Sequence, residues 1–105
     1  MIITFEKLYL QELYKKGNTS DKKHRFQPAI IRKYIRIIDL MISIENTSAL
    51  LRYNSLNYER LSGNKSGICS VRVNDQYRIE FEENTEGENT FATICNITEL
   101  SNHYK

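Results

Sequence analysis

The segment from Gly67 to Phe81 constrains the fold most, because apolar and polar residues alternate along it twice, with a polar turn between the two runs. Alternation with a period of two is typical of β-strands that bury one face. The apolar side chains are Cys69, Val71, Val73, Tyr77, Ile79 and Phe81. The polar side chains of the other face are Ser70, Arg72, Asn74, Arg78 and Glu80. The segment therefore predicts an antiparallel β-hairpin.

The two faces also predict the length of the turn. Residues that pair across antiparallel strands lie on the same face of the sheet. A two-residue turn would pair the apolar Val73 with the polar Gln76, whereas a turn of residues 74–76 pairs Val73 with Tyr77. Asn and Asp tolerate the left-handed conformation that a three-residue turn needs. We therefore predict the three-residue turn.

The three-residue turn places Arg72 directly opposite Arg78 on the polar face. Like charges that face each other across strands are unfavourable, by a few tenths of a kcal/mol up to about one. Two guanidinium groups on an open sheet face suit a phosphate, which arginine binds through two parallel hydrogen bonds. Alternatively, Glu80 or Glu82 neutralises both arginines on a solvated face. The hairpin alone leaves both interpretations open.

The composition is that of an ordinary soluble domain. The 105 residues carry a net charge of +2, so charge alone does not identify a nucleic-acid-binding protein. No apolar run is long enough to span a bilayer, and residues 1–6 resemble a strand rather than a signal peptide, which predicts one cytoplasmic domain over residues 1–105. Cys69 and Cys95 fall at apolar strand positions, which predicts two buried thiols and no zinc site.

The order of the predicted elements is strand, two helices, a short helix and four further strands. Gly17 is typical of a helix C-terminus, Pro28 of a first helical residue, and Thr47 is the expected N-cap of the short helix. The predicted ranges are 1–6 (strand), 7–16 (helix), 18–27 (polar loop), 28–45 (helix), 47–52 (short helix), 58–61 (edge strand), 62–67 (turn), 83–89 (turn), 90–98 (central strand) and 99–105 (tail).

The long helix carries a broad apolar stripe, which is expected to pack on a sheet. The predicted centre of the stripe is Ile31, Ile35, Ile38 and Ile42, and Ile30, Tyr34, Ile37 and Met41 widen it. The predicted fold class is therefore α+β, a small and mainly antiparallel sheet with two to three helices packed on one face. The other face, with Arg72 and Arg78, is expected to stay open.

The polar loop of residues 18–27 contains Lys22, Lys23, His24 and Arg25. One interpretation is a solvated connector. The other is a basic lip that touches nucleic acid. His24 is expected to be an ordinary polar surface residue.

Four segments in order form a pattern that covers nearly the whole chain. They are residues 13–20 at the end of the first helix, Gln27-Pro28-Ala29, Leu61-Ser62-Gly63, and the hairpin with Gly67, Ser70, Val71-Arg72-Val73, Asn74 and Tyr77-Arg78-Ile79. This pattern resembles the HigB-type toxins, the plasmid-maintenance "killer protein" branch of the RelE/ParE toxin–antitoxin superfamily.

The resemblance implies a RelE-like fold and a ribosome-dependent endoribonuclease that arrests growth. Such an enzyme enters the ribosomal A site and cuts mRNA, and a helix-turn-helix antitoxin of the HigA type inhibits it. The RNA supplies its own nucleophile, the 2′-OH, which attacks the adjacent phosphate. The protein then needs a proton acceptor, a proton donor and cations beside the developing charge. The resemblance implies no metal and no other cofactor.

The hairpin and the resemblance together assign candidate site residues. Arg72 and Arg78 are expected to stabilise the charge on the phosphate. Gln76 lies where relatives often place a polar amide near the substrate. The candidates for binding the RNA backbone, a salt-dependent contribution, are Arg52, Arg60 and Lys65.

The chain departs from the HigB pattern at the expected proton-transfer positions. Many of these toxins carry His and Lys at the positions equivalent to Glu59 and Ser62, and many end in Asp-Tyr-His. Glu59 is therefore a candidate base, and His103 or Tyr104 is a candidate acid or base. The alternative is structural, with Glu59 on the surface and the tail packed against a sheet edge.

Two other functions stay open from the sequence. One is a non-catalytic inhibitor of gyrase, like the ParE branch. The other is a degenerate toxin that only binds its antitoxin, because Glu59 and Ser62 replace the usual groups.

Overall fold

The computed structural model describes residues 1–85, 87 and 91–102. The strands are β1 (Ile2–Phe5), β2 (Glu59–Arg60), β3 (Ile68–Arg72), β4 (Tyr77–Asn84) and β5 (Ile94–Asn102). The helices are α1 (Leu8–Lys16) and α2 (Pro28–Ser43), with short 3-10 helices at Thr47–Arg52, Asn54–Leu56 and Gly63–Lys65. The strand order is β1-β5-β4-β3-β2, with only β1 and β5 parallel. The predicted α+β class is confirmed, and no helix in the described part of the chain could cross a membrane.

The hairpin of β3 and β4 has the predicted register. Val71 pairs with Ile79, and Arg72 pairs with Arg78. The backbone N–H of Val73 donates to the carbonyl of Tyr77 at 2.9 Å, which closes a turn of residues 74–76. Oδ1 of Asn74 accepts hydrogen bonds from the backbone N–H groups of Gln76 and Tyr77, each at 2.8 Å. The turn is therefore held by an Asx-type interaction, which explains why Asn suits its first position.

The two long helices begin and end near the predicted residues. Gly17 ends α1 with a φ of 74°, and its N–H donates to the carbonyl of Leu13. Pro28 is the first residue of α2. The most buried side chains of α2 are Ile30, Tyr34, Ile37, Ile38 and Met41, which contact α1 and the apolar face of the sheet in one core.

The predicted centre of the α2 stripe is wrong at Ile42. This side chain is 43% exposed, although the 4-3-4 spacing assigned it to the middle of the buried face. The buried face is centred on Tyr34, Ile38 and Met41, which are all 0% exposed, so the side chains expected at the margin lie at its centre. The N-cap assignment of Thr47 is also wrong. Asn46 is the cap and accepts from the N–H of Ser48, while Thr47 is buried.

The last strand lies four residues further along the chain than predicted. It starts at Ile94 and continues to Asn102, so residues 99–102 of the predicted tail belong to the strand and pair with residues 77–80 of β4. The register shifts between Glu80 and Phe81 of β4, which pair with Glu99 and Ile97, so Thr98 is an extra residue on β5. Phe91, predicted to be buried, is 49% exposed before the strand begins.

Both cysteines are buried free thiols, as predicted. Burial raises the pKa of Cys69 to about 11 and that of Cys95 to about 12, from an ordinary value of 9.0. Because the folded protein disfavours the thiolates, the free energy of unfolding is unaffected by these thiols below about pH 9. It decreases as the pH rises from there through the raised pKa values.

We expect the buried thiols to resist a thiolate-selective reagent such as Ellman's reagent at pH 8. Neither Cys69 nor Cys95 should react in the folded protein on the timescale of minutes, because both burial and the raised pKa suppress the thiolate. Both should react at once in guanidinium chloride. Rapid reaction of two thiols in the folded protein would contradict the placement of β3 and β5.

Candidate active site

One face of the sheet, called here the helix-free face, is packed by neither α1 nor α2, and two adjacent rows of its polar side chains lie around Arg78. Across β5, β4 and β3, the first row is Ser101, Arg78 and Arg72. Across β5, β4, β3 and β2, the second row is Glu99, Glu80, Ser70 and Glu59. Residues that pair across neighbouring strands point to the same face of the sheet. The polar side chains of β3 and β5 therefore lie on either side of those of β4, the central strand.

Arg78 reaches from β4 across β3 to the edge strand. Its Nη1 atom lies 3.0 Å from Oε1 of Glu59 and 3.5 Å from Oγ of Ser70. The Arg78 side chain is 13% exposed and that of Glu59 is 42% exposed. A guanidinium that is mostly enclosed and bonded to a carboxylate is held in one orientation, with little side-chain entropy left to lose when a ligand binds.

Arg72 is bonded differently from its cross-strand partner. Its Nη2 atom donates to Oδ1 of Asp75 in the hairpin turn. The Asp75 side chain is 91% exposed, so this pair is a surface ion pair of little energetic value. The two arginines therefore turn to different carboxylates. The alternative in which Glu80 or Glu82 neutralises both is wrong, because Glu80 binds Lys65 and Glu82 accepts from Asn96.

The interior of this face is more buried than the alternation predicted. Ser70 and Glu80, expected to be solvated, are 0% and 6% exposed. Oε2 of Glu80 accepts from Nζ of Lys65 and from Oγ of Ser101, each at 2.7 Å. This bond to Glu80 raises the pKa of Lys65. The side chain of Lys65 therefore reaches over the centre of this face, in the row next to Arg78.

Arg60 and Arg52 do not join this face. Arg60 pairs in register with Cys69, whose side chain lies in the core, so Arg60 lies on the opposite face from Glu59. There its Nη2 atom donates to Oε1 of Glu83 at 3.3 Å. Arg52 is exposed at the end of the 3-10 helix that packs its Leu50 into the core. The structure therefore places neither arginine on the face that carries Lys65 and Arg78.

The other predicted site residues lie at different places. The side chain of Lys65 lies on the candidate face, where its Nζ atom donates to Glu80. Gln76 is exposed in the turn next to Asp75. Ser62 is exposed at the start of the turn between β2 and β3. His103 and Tyr104 lie outside the described residues.

The loop between the two long helices also reaches this end of the sheet. His24 stacks on Tyr9, with ring centroids 3.7 Å apart and an interplanar angle of 5°. Its Nδ1 atom lies 2.9 Å from Oδ2 of Asp21, and this bond lowers the pKa of Asp21. His24 is therefore a positioned ring and not the free surface residue that the sequence predicted.

Comparison with known proteins identifies the family. The family model described as HigB-like toxin, the RelE-like toxin of type II toxin–antitoxin system HigB, matches residues 3–94. The chain belongs to the HigB-like toxin family. This HigB-like toxin is also similar to Toxin HigB-1 of Vibrio cholerae, with 32% identity over 83 residues that cover 78% of this chain and 83% of the relative.

Solved structures with the same fold are toxins of related names. A YoeB/ParE toxin from Agrobacterium tumefaciens has a TM-score of 0.55 and 18% identity, over 99% of this chain and 100% of that one. A YafQ mutant from E. coli has a TM-score of 0.60 and 12% identity, over 96% and 91%. A YoeB–YefM complex from Staphylococcus aureus has a TM-score of 0.57 and 15% identity, over 99% and 98%. At these identities the likeness shows the RelE-like fold alone.

The sequence pattern of the HigB-like toxin did not reveal the polar network under Lys65. Glu80, Ser101 and Ser70 alternate like solvent-facing residues, and Ser101 fell in the predicted tail. A weak signal is present in hindsight, since small hydroxyl side chains occupy the strand positions next to the charged ones. Small side chains leave room for a neighbouring turn to cover them.

Proposed function

We propose that this HigB-like toxin is a ribosome-dependent endoribonuclease of the cytoplasm that cleaves mRNA without a metal ion. The observation that carries the proposal is the Arg78–Glu59 pair on the helix-free face, at 3.0 Å, with Arg72 in the same row. It joins a fixed cation to a half-exposed carboxylate. Those are two of the groups that RNA cleavage by its own 2′-OH requires.

In the proposed reaction, the 2′-oxygen attacks the adjacent phosphorus and the bond to the 5′-oxygen breaks. Glu59 accepts the proton of the 2′-OH, and Arg78 stabilises the charge on the phosphoryl oxygens. The leaving 5′-oxygen takes a proton from an acid, for which His103 and Tyr104 stay the candidates. The products are a 2′,3′-cyclic phosphate and a 5′-OH, so atoms and charge balance without a cofactor.

The different bonding of the two arginines supports this division of roles. Arg72 exchanges Asp75 for a phosphate at little cost, because an exposed pair contributes about 0–1 kcal/mol. Arg78 keeps Glu59 beside it while it binds the phosphate with its other N–H groups, since a guanidinium has five donors. Lys65 and Gln76 lie at the two ends of this region and are proposed to contact the RNA.

The proposed partners are the ribosome with its mRNA and a helix-turn-helix antitoxin of the HigA type. Two of the structures that share the fold are complexes of a toxin with its antitoxin, YoeB with YefM from Staphylococcus aureus. This likeness favours an antitoxin for the present chain as well.

A second candidate function is a toxin that binds its antitoxin but has lost cleavage. The observation that favours it is that Arg72 and Arg78 each already hold a carboxylate. A non-catalytic gyrase inhibitor of the ParE type has no comparable support from the site.

Mapping of mRNA 5′ ends after induction separates these functions. We expect new 5′-OH ends within translated reading frames in cells that express the wild-type chain. The gyrase alternative predicts DNA-damage signalling without new ends, and the degenerate toxin predicts neither. Unchanged mRNA ends together with full growth arrest would contradict the endoribonuclease proposal.

A further inference from the structure

A cleft of about 360 Å³ lies beside the candidate active site, at the end of β5. The loop between α1 and α2 lines it with Lys23, His24, Arg25 and Phe26, and Tyr77 of β4 lines it as well. Its volume falls at the lower end of the range for small-molecule sites, about 300–1,000 Å³. The cleft combines aromatic rings and cations.

From this composition we propose that the cleft binds one unstacked nucleobase of the RNA. The inference deepens the proposed function, on which it rests, by assigning a base-recognition site to the toxin. Single-stranded RNA is recognised by stacking its bases on aromatic rings or on arginine, with hydrogen bonds to the base edges. A cleft with four aromatic rings, a lysine and an arginine meets both requirements.

The ring of His24 is held for such a role by two independent contacts. One face lies on Tyr9, which is buried, and the bond from Nδ1 to Asp21 fixes its direction. In the neutral ring this bond makes Nδ1 the proton-bearing nitrogen and Nε2 an acceptor. The His24 side chain is still 33% exposed, so a base can reach it. A ring that is already ordered loses little conformational entropy when a base stacks on it.

A second aromatic pair, Phe26 and Tyr77, also lines the cleft. Phe26 and Tyr77 meet edge to face, with centroids 5.6 Å apart and an angle of 79°. The contact ties the loop to the first residue of β4, next to Arg78. Glu99 also lines the cleft. Its carboxylate disfavours a phosphate there but can accept a hydrogen bond from the exocyclic amino group of a base, as acidic side chains do with cytosine.

The position of the cleft relative to Arg78 supports a base over an unrelated ligand. Ser101 lines the cleft and is also the cross-strand partner of Arg78. Neighbouring strands are about 4.8 Å apart, so the cleft and the proposed phosphate site lie within the reach of one nucleotide. A phosphate on Arg78 would therefore bring an adjacent base to the cleft.

Titration of the full-length protein with AMP, GMP, CMP and UMP, followed by NMR, tests this inference without any cleavage. We expect at least one nucleotide to shift the amide signals of residues 23–26 and 99–101 and to give contacts between base protons and the ring of His24. His24→Ala should weaken this binding about fivefold or more, since stacking contributes about 1–3 kcal/mol per base. His24→Phe, which keeps an aromatic ring, should retain most of it.

Two controls make the outcome decisive. Lys22→Ala changes a cation in the same loop that does not line the cleft, and should bind like the wild type. Ribose 5-phosphate lacks the base and should leave the cleft signals unchanged. Equal shifts with ribose 5-phosphate, or no shifts with any nucleotide, would overturn the inference and leave the cleft to another partner such as an antitoxin peptide.

A second readout separates this inference from the proposed function. If the toxin cleaves mRNA, His24→Ala should change the base preference around the cut sites, whereas Lys22→Ala should not. Cleavage with an unchanged preference would overturn the base cleft alone. Nucleotide binding by a protein that never cleaves would overturn the endoribonuclease proposal alone.

Discussion

Substitution of Arg78 by alanine is expected to abolish growth arrest while leaving the fold intact. Arg78 is the one arginine of the described face that is both enclosed and directed by a carboxylate, so its loss removes the fixed cation from the proposed phosphate site. Loss of one preorganised donor to a developing charge typically costs about 10²–10³ in rate. Cleavage by the purified protein on translating ribosomes should fall at least that far.

The fold should survive this change because Glu59 is 42% exposed and stays hydrated without its partner. A thermal melt of the variant checks this directly. Arg78→Lys should recover only part of the activity, because lysine keeps the charge but loses the planar fork.

Arg60→Ala is the matched control for Arg78. Arg60 is the next residue after Glu59 and also pairs with a glutamate, but on the opposite face of the sheet. The Arg60→Ala variant should be as toxic as the wild type. A folded Arg78→Ala variant that arrests growth like the wild type would remove Arg78 from the mechanism.

Substitution of Glu59 by glutamine is the second large expected effect. The amide oxygen of glutamine can still accept from Arg78, so the guanidinium keeps its position, but the side chain can no longer take a proton. General-base catalysis typically contributes about 10²–10⁴ in rate. We therefore expect the cleavage rate to fall by about that factor while substrate binding changes little, which single-turnover cleavage on programmed ribosomes measures.

Glu82→Gln is the control for this change. Glu82 lies on β4, on the helix-free face, and accepts from Asn96 away from Arg78. Its substitution should leave the rate within about twofold of the wild type. Equal rates for Glu59→Gln and the wild type would reduce Glu59 to an anchor for Arg78.

Local patterns predicted those parts of the fold that neighbouring residues decide. The turn length of the hairpin and the opposition of Arg72 and Arg78 follow from the period of two. The end of α1 at Gly17 follows from backbone conformation. These features depend only on a few residues that are adjacent in the sequence, so the local sequence pattern is enough to predict them.

Features that depend on distant contacts could not be predicted in the same way. The extent of β5 depends on its pairing with β4, which continues through the polar residues 99–102 beyond a shift in register at Thr98. The burial of Glu80 is decided by Lys65, fifteen residues away, and by Ser101, twenty-one residues away. Alternation reports only which face a residue occupies and not what covers that face.

The candidate site shows the same division. The sequence placed Arg72 and Arg78 opposite each other, but their bonds to Asp75 and Glu59 depend on the turn and on the edge strand. Arg60 was assigned to the RNA backbone by its charge. The pairing of β2 with β3 turns it to the other face, since adjacent residues of a strand point in opposite directions.

The central claim is that this face makes the 2′-OH of mRNA attack the adjacent phosphate, and a single 2′-deoxy substitution tests it most directly. Ribosomes are programmed with an mRNA that the wild-type toxin cuts, or with the same mRNA lacking only the 2′-OH at the cut position. The account predicts cleavage of the first, to a 2′,3′-cyclic phosphate and a 5′-OH, and none of the second at that position. Equal cleavage of both would contradict it.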